Sequence, residues 1–138
     1  MQVKDVMTPE VELAAPDDTL QEAATRMRCW NVGLLPVREN DRLVGVLTDR
    51  DIVIRSVCEG RDPKQTLVRE AMTPQVVYCF DDQDLAEAAD LMEAKKVRRL
   101  VVLNRAKRLV GVVSLDDLAQ EAAIEMRVGE VLERVTSQ

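Results

Sequence analysis

One ten-residue stretch occurs twice in this chain of 138 residues, and this repeat limits the possible folds more than any other feature. Leu43–Ile52 reads LVGVLTDRDI, and Leu109–Leu118, 66 positions later, reads LVGVVSLDDL. Each copy has an apolar run that contains a glycine, then a hydroxyl residue with an aspartate three positions further on. This order is typical of a buried strand that leads into a capped helix.

The repeat extends over almost the whole chain. Val3–Pro9 aligns with Val68–Pro74, and both end in Met-Thr-Pro. The pattern Leu-x-x-Ala-Ala-x-x-Met begins at Leu20 and again at Leu85, and one extra residue near 104–106 shifts the later offset. An insertion of this kind is tolerated in a surface loop.

These alignments predict the domain organisation. We expect repeat 1 in residues 1–60, a linker in residues 61–67, repeat 2 in residues 68–125 and a C-terminal tail in residues 126–138. Within the tail, Arg127–Leu132 resembles the start of a repeat. Two interpretations of the tail stay open. It is either a short remnant that packs like the start of a repeat or a frayed C-terminal helix.

Local patterns give the elements of each repeat. The expected segments are extended Val11–Ala14 and Val76–Phe80, capping boxes at Thr19–Glu22 and Asp84–Glu87, strands Gly33–Val37 and Leu43–Leu47 joined by a hairpin, and a helix at Asp49–Cys58. The spacing of Leu20, Ala23, Ala24 and Met27 predicts one apolar helix face. The fold class is therefore α+β, with two β-α-β-β-α repeats packed about a pseudo-twofold axis and equivalent residues facing one cleft.

Composition excludes several classes of function. A net charge of −6 and a pI near 4.8 argue against nucleic-acid binding through a basic field. We find no apolar run near the ~18 residues of a membrane span and no signal-peptide pattern, so we expect a cytoplasmic protein without a membrane partner. The chain has no histidine and no Walker loop, and we expect its three cysteines to be buried packing residues. We therefore predict that it is not an enzyme and contains no metal site.

The two hydroxyl-to-acid corners allow two interpretations. Thr48 with Asp51, and Ser114 with Asp117, fit helix caps. The same groups fit a nucleotide site, because free amides and a hydroxyl suit phosphate and a carboxylate accepts from ribose hydroxyls. A cap can also contact a ligand, so both interpretations stay open.

Four features of the sequence identify a family. They are the Met-Thr-Pro starts, the two Leu-x-x-Ala-Ala-x-x-Met helices, Gly33–Val37, and the Gly-x-x-[Thr/Ser]-x-x-Asp ends at Gly45 and Gly111. Residues 3–120 resemble a tandem cystathionine-β-synthase (CBS) domain pair, or Bateman module. Thr48–Arg55 and the residues after it look like the stand-alone bacterial subgroup of hypoxic-response type.

The resemblance implies a regulatory module that binds an adenosyl ligand such as AMP, ADP, ATP, S-adenosylmethionine or a dinucleotide. By position, the hydroxyls would meet phosphate and the aspartates ribose. The implied contact residues are Thr48, Asp51, Arg50, Val11, Gly33, Leu35 and Pro36 in one site, and Ser114, Asp117, Val76, Arg98, Arg99 and Leu100 in the other. In the first site, Arg50 would offset the negative charge of the acid beside the phosphate. In the second site, Arg98 or Arg99 would do the same.

The resemblance also implies a homodimer shaped as a flat disc of four units, with no obligatory cofactor. The basic run Lys95–Arg99 divides in two: the lysines favour a helix C-terminus, and the arginines begin a strand. The alternative function is a ligand-independent dimerising scaffold that recruits a protein partner, in which the corners serve only as caps.

Overall fold

The two sequence repeats do not coincide with the two compact units of the fold. In the computed structural model, which describes residues 1–136, Glu10–Val77 form one unit, here called the contiguous unit. Met1–Pro9 join the chain from Tyr78 onward in the other, here called the split unit. The start of each repeat therefore belongs to the unit that holds the body of the other repeat.

The elements follow the predicted order except for the first strand of repeat 1, which is missing, and the α+β class is confirmed. The contiguous unit contains helix α1 (Leu20–Trp30), strands β1 (Leu34–Glu39) and β2 (Arg42–Thr48), helix α2 (Asp49–Ile52), a π-helical turn (Val53–Val57) and helix α3 (Val68–Ala71). The split unit contains a 3-10 turn (Val3–Asp5), strand β3 (Tyr78–Phe80), helix α4 (Leu85–Lys95), strands β4 (Arg99–Leu103) and β5 (Leu109–Ser114), and helix α5 (Leu115–Thr136).

The predicted hairpin of the contiguous unit is confirmed. Strands β1 and β2 pair antiparallel with Leu35 opposite Leu47. Asn40 and Asp41 connect them with φ of 50° and 65°. Two consecutive positive φ values match the right-handed twist of the flanking strands, and Asn and Asp adopt them more readily than most residues.

The core of the contiguous unit lies between this hairpin and α1. Leu20, Leu35, Leu47 and Val68 are completely buried. Helix α1 contributes its positions 20, 23 and 27, but Ala24 is exposed, so the predicted apolar face is narrower than expected. The hairpin and α3 cover only the side of α1 on which the three buried residues lie.

The split unit is built on a three-stranded sheet. Strand β3 runs parallel to β4, and β4 pairs antiparallel with β5. The predicted extended segment at 76–80 is thus a strand from Tyr78. The matching segment Val11–Ala14 is not a strand, because only Ala14 forms a bridge, to Val37. The next amide, that of Ala15, donates to the Asp18 carboxylate, and this ends the strand pairing.

Only one of the two predicted capping boxes at the first helices forms. In α1 the Thr19 hydroxyl accepts from the Glu22 amide, and the Glu22 carboxylate accepts from the Thr19 amide. Asp84 makes no side-chain cap bond before α4. The Glu87 carboxylate instead accepts from Gln83 Nε2 at 2.8 Å, so the acid needed for the box is engaged elsewhere.

The last helix of each repeat departs from the prediction. The expected helix over 49–58 is α2 followed by the π-helical turn, in which the Cys58 amide donates to the Val53 carbonyl at 2.9 Å. Helix α5 is continuous to Thr136, so the expected boundary at 126 falls inside a helix and the tail is helical. Residues 137 and 138 lie outside the described residues. No helix within residues 1–136 has the length and apolar character needed to cross a membrane.

The starts of the repeats, here called the first opening segment (Met1–Pro9) and the second opening segment (Thr66–Pro74), dock in the same way. Thr73 pairs with Val46 in the contiguous unit, and Thr8 pairs with Val112 in the split unit. Each therefore adds one antiparallel bridge to the second strand of a hairpin.

Candidate functional site

The corner between β2 and α2 holds the first predicted hydroxyl–carboxylate pair. The Thr48 amide donates to Asp51 Oδ2 at 3.0 Å, and the Asp51 amide donates to Thr48 Oγ1 at 3.0 Å. Both residues are half-buried, and the Asp51 side chain is 15% exposed. The predicted cap is confirmed.

The corner between β5 and α5 repeats this geometry in the split unit. The Ser114 amide donates to Asp117 Oδ2 at 2.9 Å, and the Asp117 amide donates to Ser114 Oγ at 3.1 Å. Ser114 and Asp117 are also half-buried. The fold thus builds the same pair of functional groups twice, once in each unit.

The start of the neighbouring strand is fastened to each corner. The Asp49 amide donates to the Gly33 carbonyl at 3.0 Å, and the Leu115 amide donates to the Arg98 carbonyl at 2.8 Å. Arg99 lies opposite Ser114 in the β4–β5 register. Gly33 therefore lies beside the first corner, and Arg98 and Arg99 lie beside the second, as the sequence alignment predicts.

The backbone amides of the first corner are already bonded, which corrects the expectation of free amides for phosphate. The Asp49 amide binds Gly33, the Arg50 amide donates to Asp49 Oδ1 at 2.8 Å, and the Asp51 amide binds Thr48. These three bonds use the same donors that a phosphate would need. Binding at this corner has to rely on side chains.

Two side-chain functions remain available at each corner. The threonine or serine hydroxyl accepts the cap bond and still has its own proton to donate. The aspartate uses Oδ2 for the cap, which leaves Oδ1 as an acceptor. A hydroxyl donor beside a carboxylate acceptor suits a polyhydroxylated ligand such as a ribose with an attached phosphate.

Arg55 is a residue of the first corner that the sequence interpretation missed. Its Nη1 donates to the carbonyls of Ala71 and Met72, each at 2.9 Å, and its Nη2 lies 4.0 Å from Asp51 Oδ1. Arg55 thus joins the second opening segment to the corner. The available signal was an arginine four positions after an acid in a helix, whereas the aligned position of the split unit is Glu121.

The other predicted contact residues have varied environments. Leu35 and Leu100 are completely buried, with the main chain included. Val11 is half-buried in the contiguous unit. Val76 is half-buried and also belongs to the contiguous unit, whereas Arg98 belongs to the split unit. The residues predicted for the second site therefore come from two compact units.

The arginines and lysines of the basic run divide as expected. Helix α4 ends at Lys95, and Lys96 follows it in the left-handed conformation with φ of 55°. Arg98 is exposed and precedes β4, while Arg99 is half-buried at its first position.

Two predicted residues of the first site remain to be placed. Pro36 is buried in β1, and Arg50 is exposed beside the first corner.

The prediction of three buried cysteines is wrong for two of them. Cys79 is buried in β3, and burial raises the pKa of its thiol to about 11. Cys29 and Cys58 are exposed, because one lies outside the narrow apolar face of α1 and the other follows the π-helical turn. Residues 1–136 contain no cluster of three or more histidine, cysteine or acidic side chains suited to a metal ion.

A family model decides the classification. The model of the CBS domain matches residues 3–57 and again residues 68–124. The chain belongs to the CBS domain family. Its two matches make it a CBS domain pair, a regulatory module, and they confirm the resemblance drawn from the Met-Thr-Pro starts and the two corners.

Known CBS proteins resemble this pair over most of their length. The CBS domain-containing protein YhcV of Bacillus subtilis is 40% identical over 136 residues, which cover 99% of this chain and 96% of YhcV. Hypoxic response protein 1 of Mycobacterium tuberculosis is 36% identical over 118 residues, which cover 85% of this chain and 82% of that protein. The expected similarity to proteins of hypoxic-response type is confirmed.

The CBS domain pair of protein MJ0100 shares the fold. Its structure, solved in complex with 5′-methylthioadenosine and S-adenosyl-L-methionine, matches with a TM-score of 0.82 at 23% identity. The match covers 91% of this chain and 98% of that one.

Proposed function

We propose that this CBS pair is a non-catalytic regulatory module that binds an adenosyl nucleotide at its two strand-to-helix corners. The observation that supports this most strongly is the duplicated hydroxyl–carboxylate pair, with the same two bonds in both units. A cap alone needs one acceptor for the helix amides. The second carboxylate oxygen of each corner exceeds that need and is suited to a ligand.

Each functional group of the first corner has a separate role in this proposal. Asp51 Oδ1 accepts from the ribose hydroxyls, and the Thr48 hydroxyl donates its remaining proton to a phosphate oxygen or to the ribose. Arg50 is exposed beside this corner and compensates the charge of a phosphate. At the second corner Asp117 and Ser114 take the same roles, and Arg98 or Arg99 supplies the positive charge.

The CBS pair of protein MJ0100 supports the class of ligand, since it binds two adenosyl compounds on the same fold. Regulation follows if the ligand binds one conformation or assembly of the chain more tightly than another. The bound nucleotide then changes which surfaces this chain presents to a partner.

A thermal-shift panel at fixed salt tests the proposal. AMP, ADP, ATP, S-adenosylmethionine, 5′-methylthioadenosine and NADH are added separately at about 1 mM. A ligand with a Kd of about 10 μM stabilises the folded state by about 2.7 kcal/mol and raises Tm by several degrees. No shift with any of these compounds contradicts the proposal.

Matched variants at each corner locate the site. Asp51→Asn keeps an acceptor for the Thr48 amide but removes the carboxylate, so we expect it to abolish the shift. Asp49→Asn removes the same charge two positions earlier and should keep the shift. At the second corner Asp117→Asn is compared with Asp116→Asn, one position earlier. Equal shifts in the members of a pair would show that the corner is not the site.

We also propose that two copies of the chain associate through the π-helical turn. Val53, Ile54 and Val57 are 50%, 48% and 62% exposed, and this apolar surface lies within five consecutive residues after α2. Val57→Asp should convert a dimer into a monomer in light scattering after gel filtration, whereas Glu59→Lys nearby should not. The same surface favours the alternative function, a ligand-independent scaffold, if the nucleotide panel gives no shift.

A further inference from the structure

The C-terminal half of α5 contains a third copy of the opening segment. Met126–Leu132 reads MRVGEVL and Met1–Met7 reads MQVKDVM, with methionine, valine, an acid, valine and a long apolar residue at matching positions. The second opening segment has Val68, Glu70 and Met72 at three of these positions. The third opening segment is therefore Met126–Arg134.

The first two copies share one mode of docking. Val3 and Val68 are completely buried, one in each unit. Their acids bond back to the residue before the valine: the Gln2 amide donates to Asp5 Oδ2 at 2.8 Å, and the Leu67 amide donates to Glu70 Oε2 at 2.7 Å.

The third copy has the same apolar residues but buries none of them. Val128, Val131 and Leu132 are 52%, 43% and 58% exposed. Gly129 lies in the middle of this helical stretch, and a Cβ placed on it would meet no atom within 4 Å. No close approach requires a glycine there, and a helical glycine costs about 1 kcal/mol relative to alanine. The apolar side chains of this stretch are thus uncovered, and its glycine lowers its helix propensity.

The connectivity of the chain indicates where the third copy fits. The second opening segment follows repeat 1 and docks back on the β1–β2 hairpin of that repeat, where Thr73 pairs with Val46. The third copy follows repeat 2 in the same way. The corresponding position is the β4–β5 hairpin beside Val112, which the first opening segment occupies.

We propose that the third opening segment replaces the first on the β4–β5 hairpin of its own chain, which releases Met1–Pro9. Leu118 is the last buried residue of α5. If the helix ends there, residues 119–127 reach up to about 30 Å in extended form, which allows a return comparable to that of residues 58–67 in repeat 1. The split unit keeps its fold during the exchange because one opening segment is always docked.

Substitutions in both segments test the exchange by urea unfolding followed by circular dichroism. In the native chain, Val128→Asp and Ile124→Asp should leave the midpoint unchanged, since both side chains are exposed. With Val3→Asp, which displaces the first segment, Val128→Asp should abolish the folding of the split unit, while Ile124→Asp should not. Ile124 is the matched control because it lies on the same helix face but outside the third copy. Equal effects of the two substitutions overturn the proposal.

Thiol reactivity gives an independent measurement in the folded chain. In a Cys29→Ser, Cys58→Ser background, the thiol of Val128→Cys should react quickly with a maleimide and at least tenfold more slowly once Val3→Asp is added. An unchanged rate overturns the proposal, whether the split unit stays folded or not. Protection that appears only at high protein concentration also overturns it, because the segment would then dock on a second copy.

Discussion

Replacement of Gly45 by alanine tests how the second opening segment docks. A Cβ at this position would lie 2.7 Å from the Thr73 carbonyl oxygen and 3.0 Å from Met72 Sδ. The sulfur can move, but the Thr73 carbonyl accepts from the Val46 amide at 2.9 Å, and the Thr73 amide donates to the Val46 carbonyl at 2.8 Å. Loss of about 1 kcal/mol for each weakened bond, with a further ~1–2 kcal/mol of overpacking, predicts destabilisation by about 3–4 kcal/mol.

Urea unfolding of Gly45→Ala measures this free energy directly. Gly129→Ala is the control, because it lies in a helix with open space around it and should raise stability by up to about 1 kcal/mol. Gly111→Ala should behave like Gly45→Ala, since its Cβ would lie 2.8 Å from the Thr8 carbonyl oxygen. An unfolding midpoint of Gly45→Ala equal to that of the native chain would refute the close backbone approach as the reason for this glycine.

Three further measurements check other features. Alkylation of the native chain should modify Cys29 and Cys58 quickly and Cys79 only on unfolding, because burial keeps the Cys79 thiol protonated at neutral pH. Rapid modification of all three thiols would contradict this prediction. Burial raises the pKa of Asp18, but bonds from the Ala15 amide and Arg26 outweigh it and lower the pKa overall. Its stabilising effect is therefore present above roughly pH 4 and lost as the pH falls through the lowered pKa, so Asp18→Asn should cost about 1–3 kcal/mol at pH 7 and much less in acid. A constant difference across the pH range would exclude the charge as the cause. Finally, the contiguous unit produced alone should fold cooperatively, and an unfolded contiguous unit would refute its independence.

The features that the sequence predicted are those decided by neighbouring residues. The Thr48–Asp51 and Ser114–Asp117 caps and the Asn40–Asp41 hairpin turn depend on interactions within a few positions of the chain. The residue types that favour these caps and this turn can be read directly from the sequence. The cap pattern occurs twice in the sequence, with the same spacing in both repeats.

The features that the sequence did not predict depend on distant residues or on competition for one partner. The docking of each opening segment on the other repeat's unit joins positions as far apart as Thr8 and Val112, which no local pattern encodes. The spacing of Asp84 and Glu87 matches a capping box, but the box does not form, because the Glu87 carboxylate accepts a hydrogen bond from Gln83. The amides of the first corner were expected to be free, but only the Asp51 amide bonds to the cap, and those of Asp49 and Arg50 donate to the Gly33 carbonyl and the Asp49 carboxylate.

The division between a contiguous and a split unit also affects the order of synthesis on the ribosome. The contiguous unit has all its residues once Val77 has emerged, so it can fold while translation continues. The first opening segment emerges long before the strand on which it docks, because β5 is complete only at Ser114. At about 5–20 residues per second, these nine residues wait for several seconds without their partner, and during that time chaperones and proteases can reach them.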